Sequence, residues 1–347
     1  MKLIDIREML TERQEDSDLT IGRNEILSYT ASFSLAEYSK KLETGIFFNP
    51  KFQRHYIWDE KRKSRFIESL ICDFPIPSIF LYRKPQEEKY LIIDGYQRLS
   101  TINSFFNNKF SLIEVMDSLR EKKFADLTPD DQESLCNKQI SAIIVRQIQP
   151  NNENILYSLF ERLNTGGQNL NNMEVRRAIN FGPLIQTLEK LNLDSNWRLI
   201  WGKPAPHHRF LDVELILRVL AFSDLWDNKE KKLLDYSSLK DFLNQYCTRY
   251  RDDEKKDFQK LFIQSTKSII EQLGPNPFTL YSRPNYVLLD SIMTALLLKQ
   301  TPISNLAVRV KELKANQEFR DIYEAKQGTL SAKSINTRIK LALDYLL

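Results

Sequence analysis

Glycine is scarce, with nine in 347 residues. That is well under half the ~7% of an average protein. They are Gly22, Gly45, Gly95, Gly166, Gly167, Gly182, Gly202, Gly274 and Gly328. No two have the spacing of GxGxxG or GxxxxGKS/T, so a Rossmann fingerprint and a Walker A loop are both absent. The three cysteines, Cys72, Cys136 and Cys247, lie far apart with no CxxC. This argues against a disulfide framework or a zinc site and predicts a reducing, cytoplasmic setting. The three histidines, His55, His207 and His208, allow no HExxH and too little for an HNH nuclease. No apolar run nears the roughly 18 residues of a membrane span. The opening MKLIDIREML is too charged for a signal peptide. Charge is balanced, 50 basic against 46 acidic residues for a net +4. No global field for nucleic acid follows, and any basic site must be local.

What is present is enough for sizeable cores: 42% hydrophobic and 28% charged residues. At about 150 residues per domain the length predicts two domains. Residues 1–30 read as a polar arm. Between 31 and 193 short strands alternate with helices: 46–50, 78–84, 90–94 and a buried run around 142–145. A helix follows Asp59, with Phe66, Ile67, Leu70, Ile71 and Phe74 on one stripe. Another follows Gly95 to about Asn107, and a third spans 154–163. Asn171 with Glu174 three residues on resembles a capping box. Residues 194–209 hold Gly202, Pro204 and Pro206, interrupt the periodicity and read as a linker. Beyond it, 210–347 shows helices near 211–226, 237–250, 254–272, 285–299, 304–324 and 331–346, and no convincing strand. The fold class expected is α+β, a small mixed sheet with helices, followed by an all-α domain.

Three segments carry chemistry. In YLIIDGYQRLST (90–101) a strand runs through Asp94-Gly95 into a helix. A helix's first-turn N–H groups are unpaired and carry partial positive charge, so a phosphate fits there. Gly95 permits close approach, Arg98 can fork onto phosphate oxygens, and Asp94 can hold Mg²⁺ or orient water. The plainer alternative is a DG turn with a capping Asp and an exposed Arg. The second segment, FNPKFQRHYIWDEKRKSRF (48–66), has six basic residues against two acidic ones. Lys61, Arg62 and Arg65 read as a solvated face. Lys63 lies on the buried stripe, where it must snorkel or meet an anion. Gln53 and Arg54 are candidates for a pocket wall. The third, FERLNTGGQNLNNMEVRRA (160–178), reads as a helix–turn–helix corner carrying Arg162 and Asn164, which is not by itself evidence for DNA binding.

Order and spacing of these three segments resemble the N-terminal domain of GmrSD-type restriction proteins, over about residues 30–185. The resemblance implies a ParB/sulfiredoxin-like fold and a module that binds, and often hydrolyses, a nucleoside triphosphate with Mg²⁺ in antiphage defence. The family's IDGQQR element matches Ile93, Asp94, Gly95, Gln97 and Arg98, its FQR element Phe52, Gln53 and Arg54, and its FxRLNTGG element Phe160 and Arg162 through Gly167. It implies catalytic roles for Asp94, Gln97 and Arg98, with Asp94 at the metal. The nucleotide would be held by Gln53, Arg54, Lys63, Gly95, Tyr96, Arg162 and Asn164. Tyr96 departs from the pattern, which has glutamine there. Tyrosine offers no amide to position water, so binding survives more easily than hydrolysis. A PD-(D/E)xK nuclease site is not evident either, because Glu87 and Lys89 lack a preceding acid. Cleavage would then need a separate nuclease or effector acting on DNA. The alternative is a ParB-like DNA-binding or scaffold protein without NTPase activity.

Overall fold

The structure is a computed structural model. It describes residues 26–49, 58–83, 88–147, 156–157, 159, 162, 171–230, 232–233, 236, 238–281, 283–299, 303–325 and 327–346. The chain divides into two compact units, with the change-over between residues 171 and 180.

The first unit is built on a five-stranded mixed sheet. Strands β1 (Ile26–Ser34), β2 (Phe47–Phe48), β3 (Ile79–Arg83), β4 (Tyr90–Asp94) and β5 (Gln139–Gln147) lie in the order β1-β5-β3-β4-β2. β1 is antiparallel to β5, β5 parallel to β3, β3 antiparallel to β4 and β4 parallel to β2. Helices α1 (Leu35–Glu43), α2 (Glu60–Ile71), α3 (Tyr96–Phe106) and α4 (Pro129–Asn137) accompany it. The core draws Leu35, Tyr38 and Phe47 together with Ile67, Ile79, Leu81, Ile92, Leu99, Ile102, Phe105 and Ile144. Asp59 caps α2 as its sequence suggests, accepting from the Arg62 N–H at 2.8 Å.

Two elements of this unit depart from expectation. Residues 26–30, expected in a loose arm, lie in β1. That strand, ILSYTASFS, is an edge strand exposed over much of its length, so no apolar alternation announces it. α4 was not anticipated, although its signals are local. Thr128 caps it, accepting from the Asp131 N–H at 3.2 Å, and Pro129 occupies its first turn. Helical residues at 156, 157, 159 and 162 fall within the expected helix 154–163, whose remaining residues lie outside those described.

The second unit is helical. It contains α6 (Pro183–Leu191), α7 (Ser195–Trp201), α8 (Leu211–Leu225), α9 (Leu239–Arg249) and α10 (Lys256–Leu273), then α11 (Tyr286–Lys299), α12 (Leu306–Ala315), α13 (Gln317–Glu324) and α14 (Ala332–Leu346). α5 (Asn172–Ile179) lies at the change-over. A two-residue ribbon, β6 (Thr279–Leu280) with β7 (Arg283–Pro284), interrupts the helices. α8 and α11 are apolar nearly all round and pack on each other, and α14 packs on α11. The stretch 194–209, expected as a linker, contains α7. Trp197, Ile200 and Trp201 are buried in the helical core, and Gly202, left-handed at φ +79°, ends the helix. Gly202 and the prolines here stop one short helix and do not separate domains.

Candidate functional site

β4 delivers Asp94 and Gly95 to the start of α3. Gly95 is the N-cap residue, with φ +102°, a conformation that side chains other than glycine's adopt at a cost. A Cβ here would meet Ile79 Cδ1 at 2.5 Å and Arg98 Nη2 at 3.3 Å. No side chain caps α3, and its first turn holds no acidic residue. That end of the helix therefore retains its affinity for an anion. β2 runs parallel to β4, so both present their carboxyl ends on this side. The Asn49 side chain, just past β2, has a buried Oδ1 without a hydrogen-bond partner.

Arg98 is mostly buried and already engaged. Nη2 donates to Asp94 Oδ2 at 2.8 Å and to the Ser78 carbonyl at 3.2 Å, and Nη1 donates to the Pro77 carbonyl. Burial lowers the affinity of its guanidinium for the proton, partly offset by the Asp94 carboxylate. Arg98 thus clamps the approach to β3 against the end of β4. Three of its five N–H groups are spent inside the protein. Asp94 keeps a half-exposed carboxylate, with its side chain 50% exposed.

Gln97 accepts from the Trp58 N–H at 3.2 Å. This anchors the residues that lead into α2. The Trp58 ring meets Phe66 edge-on at 5.4 Å. Tyr96 is half-buried and packs against the core. Lys63 is also half-buried, with its ammonium 5.4 Å from the centre of the Phe110 ring, so an aromatic face meets it on the buried stripe. Arg162 is an exposed helical residue. Gln53, Arg54 and Asn164 lie outside the described residues. The structure therefore brings Asp94, Gly95 and Arg98 together and places Tyr96 and Gln97 in the same turn.

Among the described residues no group of three His, Cys, Asp or Glu side chains is placed to hold a metal ion. Asp94 is a single carboxylate at the site. That fits a Mg²⁺ that keeps its waters and arrives bound to phosphates, as this ion commonly does.

Residues 35–181 match the family model of the GmrSD restriction endonuclease N-terminal domain. The match spans the sheet from α1 onward, the Gly95 turn and α5. No curated protein matches the chain. No described helix is long and apolar enough to cross a membrane.

The sequence reading missed the buried ion pairs of the helical unit: Arg176 with Glu214, Arg198 with Asp212, Arg209 with Glu174, and Arg338 with Asp290. Glu174, read as a capping residue, is fully buried against Arg209 at 3.1 Å. Only charged residues at apolar positions of helices hinted at these pairs.

Proposed function

We propose that the GmrSD-type domain binds a nucleoside triphosphate at the Gly95 turn and serves as the sensor of its restriction system, acting in the cytoplasm on DNA together with a separate effector. The observation that carries this reading is the start of α3, a left-handed glycine cap with no side chain over the helix's first-turn amides. The phosphates would sit against that turn, where aligned N–H groups and the helix dipole favour negative charge. Asp94 would hold an Mg²⁺ brought by the phosphates, which supplies charge neutralisation when bound. Gly95 keeps the backbone within reach. Arg98 holds the turn's shape through Pro77 and Ser78 and offers its remaining N–H groups to the ligand. Gln53, Arg54 and Lys63, with Arg162 and Asn164, are proposed as the surrounding wall on the strength of the motif match. The buried Asn49 Oδ1 is an acceptor for a ligand hydroxyl or amine on the same side of the sheet.

A second reading, a DNA-binding or scaffold protein without NTPase activity, is favoured by Tyr96. Its ring is engaged with the core where the family pattern places an amide. Thermal shift with each NTP and Mg²⁺, followed by phosphate release, separates the two. Stabilisation without release supports the second reading, and absence of both overturns the nucleotide site. Plasmid cleavage by the purified chain would contradict the need for a separate effector.

A further inference from the structure

The helical unit holds a surface cleft of about 990 Å³ where the ends of α8, α9 and α11 meet the start of α10. That is an ordinary size for a small-molecule site. Its walls differ in character. Leu220 of α8, Leu261 of α10, and Leu297 and Leu298 of α11 give an aliphatic face. The chain leading from α9 into α10 gives a polar one, with Asp252 and Asp257 both exposed.

At one side of this cleft stands a cage for a cation. The ring centres of Tyr246 and Tyr250 lie 4.7 Å apart, with the planes tilted by 44°. Asp224 of α8 is tied to this wall by the Tyr246 hydroxyl, which donates to its Oδ2 at 3.0 Å. The Lys255 ammonium fills the cage. It lies 3.7 Å from the centre of the Tyr250 ring and 5.5 Å from that of Tyr246, with Asp224 Oδ2 at 2.8 Å and Asp253 Oδ2 at 3.2 Å. Aromatic faces of this kind are how proteins hold ammonium ligands. Tyr246 is buried in the helical core and Tyr250 packs against that core, so the rings are positioned without Lys255. Lys255 comes from the connecting chain, at a left-handed φ of +49° that a lysine adopts at a cost. The occupant is therefore held less firmly than the cage.

We infer that Tyr246, Tyr250 and Asp224 bind one ammonium group of a linear polyamine, and that Lys255 occupies the cage in its place when the ligand is absent. The methylene segments of such a ligand match the leucine face, and its further ammonium groups match Asp252 and Asp257. Displaced from the rings, Lys255 keeps Asp253 within reach as a partner. The site is independent of the proposed nucleotide site, which uses other residues.

The test is calorimetric titration of the full chain with spermidine, with sodium chloride at matched ionic strength as the reference. Wild type should bind spermidine. Tyr250→Leu should weaken that binding roughly two- to thirtyfold, the range of a cation–aromatic contact. Lys255→Met vacates the cage and should bind spermidine more tightly than wild type, because the tethered competitor is gone. A lysine that only fastens the loop would give no such gain. Melting curves check that both variants are folded. Tyr250 is half-buried and leucine keeps an apolar side chain there, so that arm decides the matter if Lys255→Met does not fold. No spermidine binding beyond the salt reference in the wild type, or undiminished affinity in Tyr250→Leu, would overturn the site. So would a folded Lys255→Met that binds no more tightly. An N-acetyl-lysine amide bound as tightly as spermidine would give the cage to a lysine side chain of another protein and overturn the polyamine.

Discussion

At Gly95 two constraints coincide: a left-handed φ and an Ile79 methyl group lying where a Cβ would go. Gly95→Ala is expected to lower stability by about 1–3 kcal/mol, measured by urea unfolding, and to abolish nucleotide stabilisation because the turn must shift. Arg98 carries a second expectation. Its bonds to Asp94 and to the Pro77 and Ser78 carbonyls make it part of the scaffold, so Arg98→Ala should cost about 1.5–3 kcal/mol as well as affinity. A variant with wild-type stability and unchanged affinity would show the clamp to be idle. The Asp94–Gly95–Arg98 grouping was legible because all three residues are local to one strand–helix junction. The carbonyls that hold Arg98 were not, since they lie some twenty residues earlier and backbone acceptors leave no mark on a sequence. Tyr96 brings the third expectation. Single-turnover hydrolysis at saturating nucleotide and Mg²⁺ should be slow in the wild type and faster in Tyr96→Gln, which restores an amide beside the phosphates. Brisk wild-type turnover with no gain in the variant would exclude that role.

Among the elements, α7 departs most from the sequence reading. Trp197 has none of its surface exposed and packs on Phe262 of α10 at 5.5 Å between ring centres. Trp197→Ala should cost about 3–5 kcal/mol, whereas a linker residue would cost almost nothing. Chemical denaturation of the two proteins decides it. Glycine and proline suggested a boundary here, but Asp194, which accepts from the Trp197 N–H at 2.9 Å, begins a helix before them. The long apolar helices of the second unit were legible, because burial on nearly all sides of α8 and α11 leaves segments dense in hydrophobic residues. β1 was not, because its exposed edge position demands no alternation. The ion pairs at Glu214 have a pH signature of their own. Burial raises the Glu214 carboxyl, but Arg218 and Arg176 together outweigh that and hold it below its ordinary value. A depressed folded value stabilises above the unfolded pKa of about 4.3 and fades as pH falls through the lower folded value. Stability of wild type should therefore drop through this acid range more steeply than that of Glu214→Gln. Urea unfolding at a series of pH values measures both slopes, and parallel curves would contradict the assignment.

For the whole molecule, the two units divide the chemistry as they divide the chain. The mixed-sheet unit carries the GmrSD-type match, from residue 35 to residue 181, together with the uncapped helix start. The helical unit carries the buried arginine ion pairs. The resemblance was legible because its motifs occur in order between residues 52 and 167, and each preserves the residues that a tight turn or a fork onto an anion requires. The helical unit offered no such motif, and its chemistry appears only once distant helices are packed. The central claim, that phosphates bind at the Gly95 turn, is tested most directly by a crystal structure of the full chain with a non-hydrolysable nucleoside triphosphate and Mg²⁺. The expected result is a phosphate oxygen about 2.7–3.2 Å from backbone N–H groups of the first turn of α3, with the metal on the Asp94 side. A nucleotide bound elsewhere, with that turn unchanged and unliganded, would contradict it.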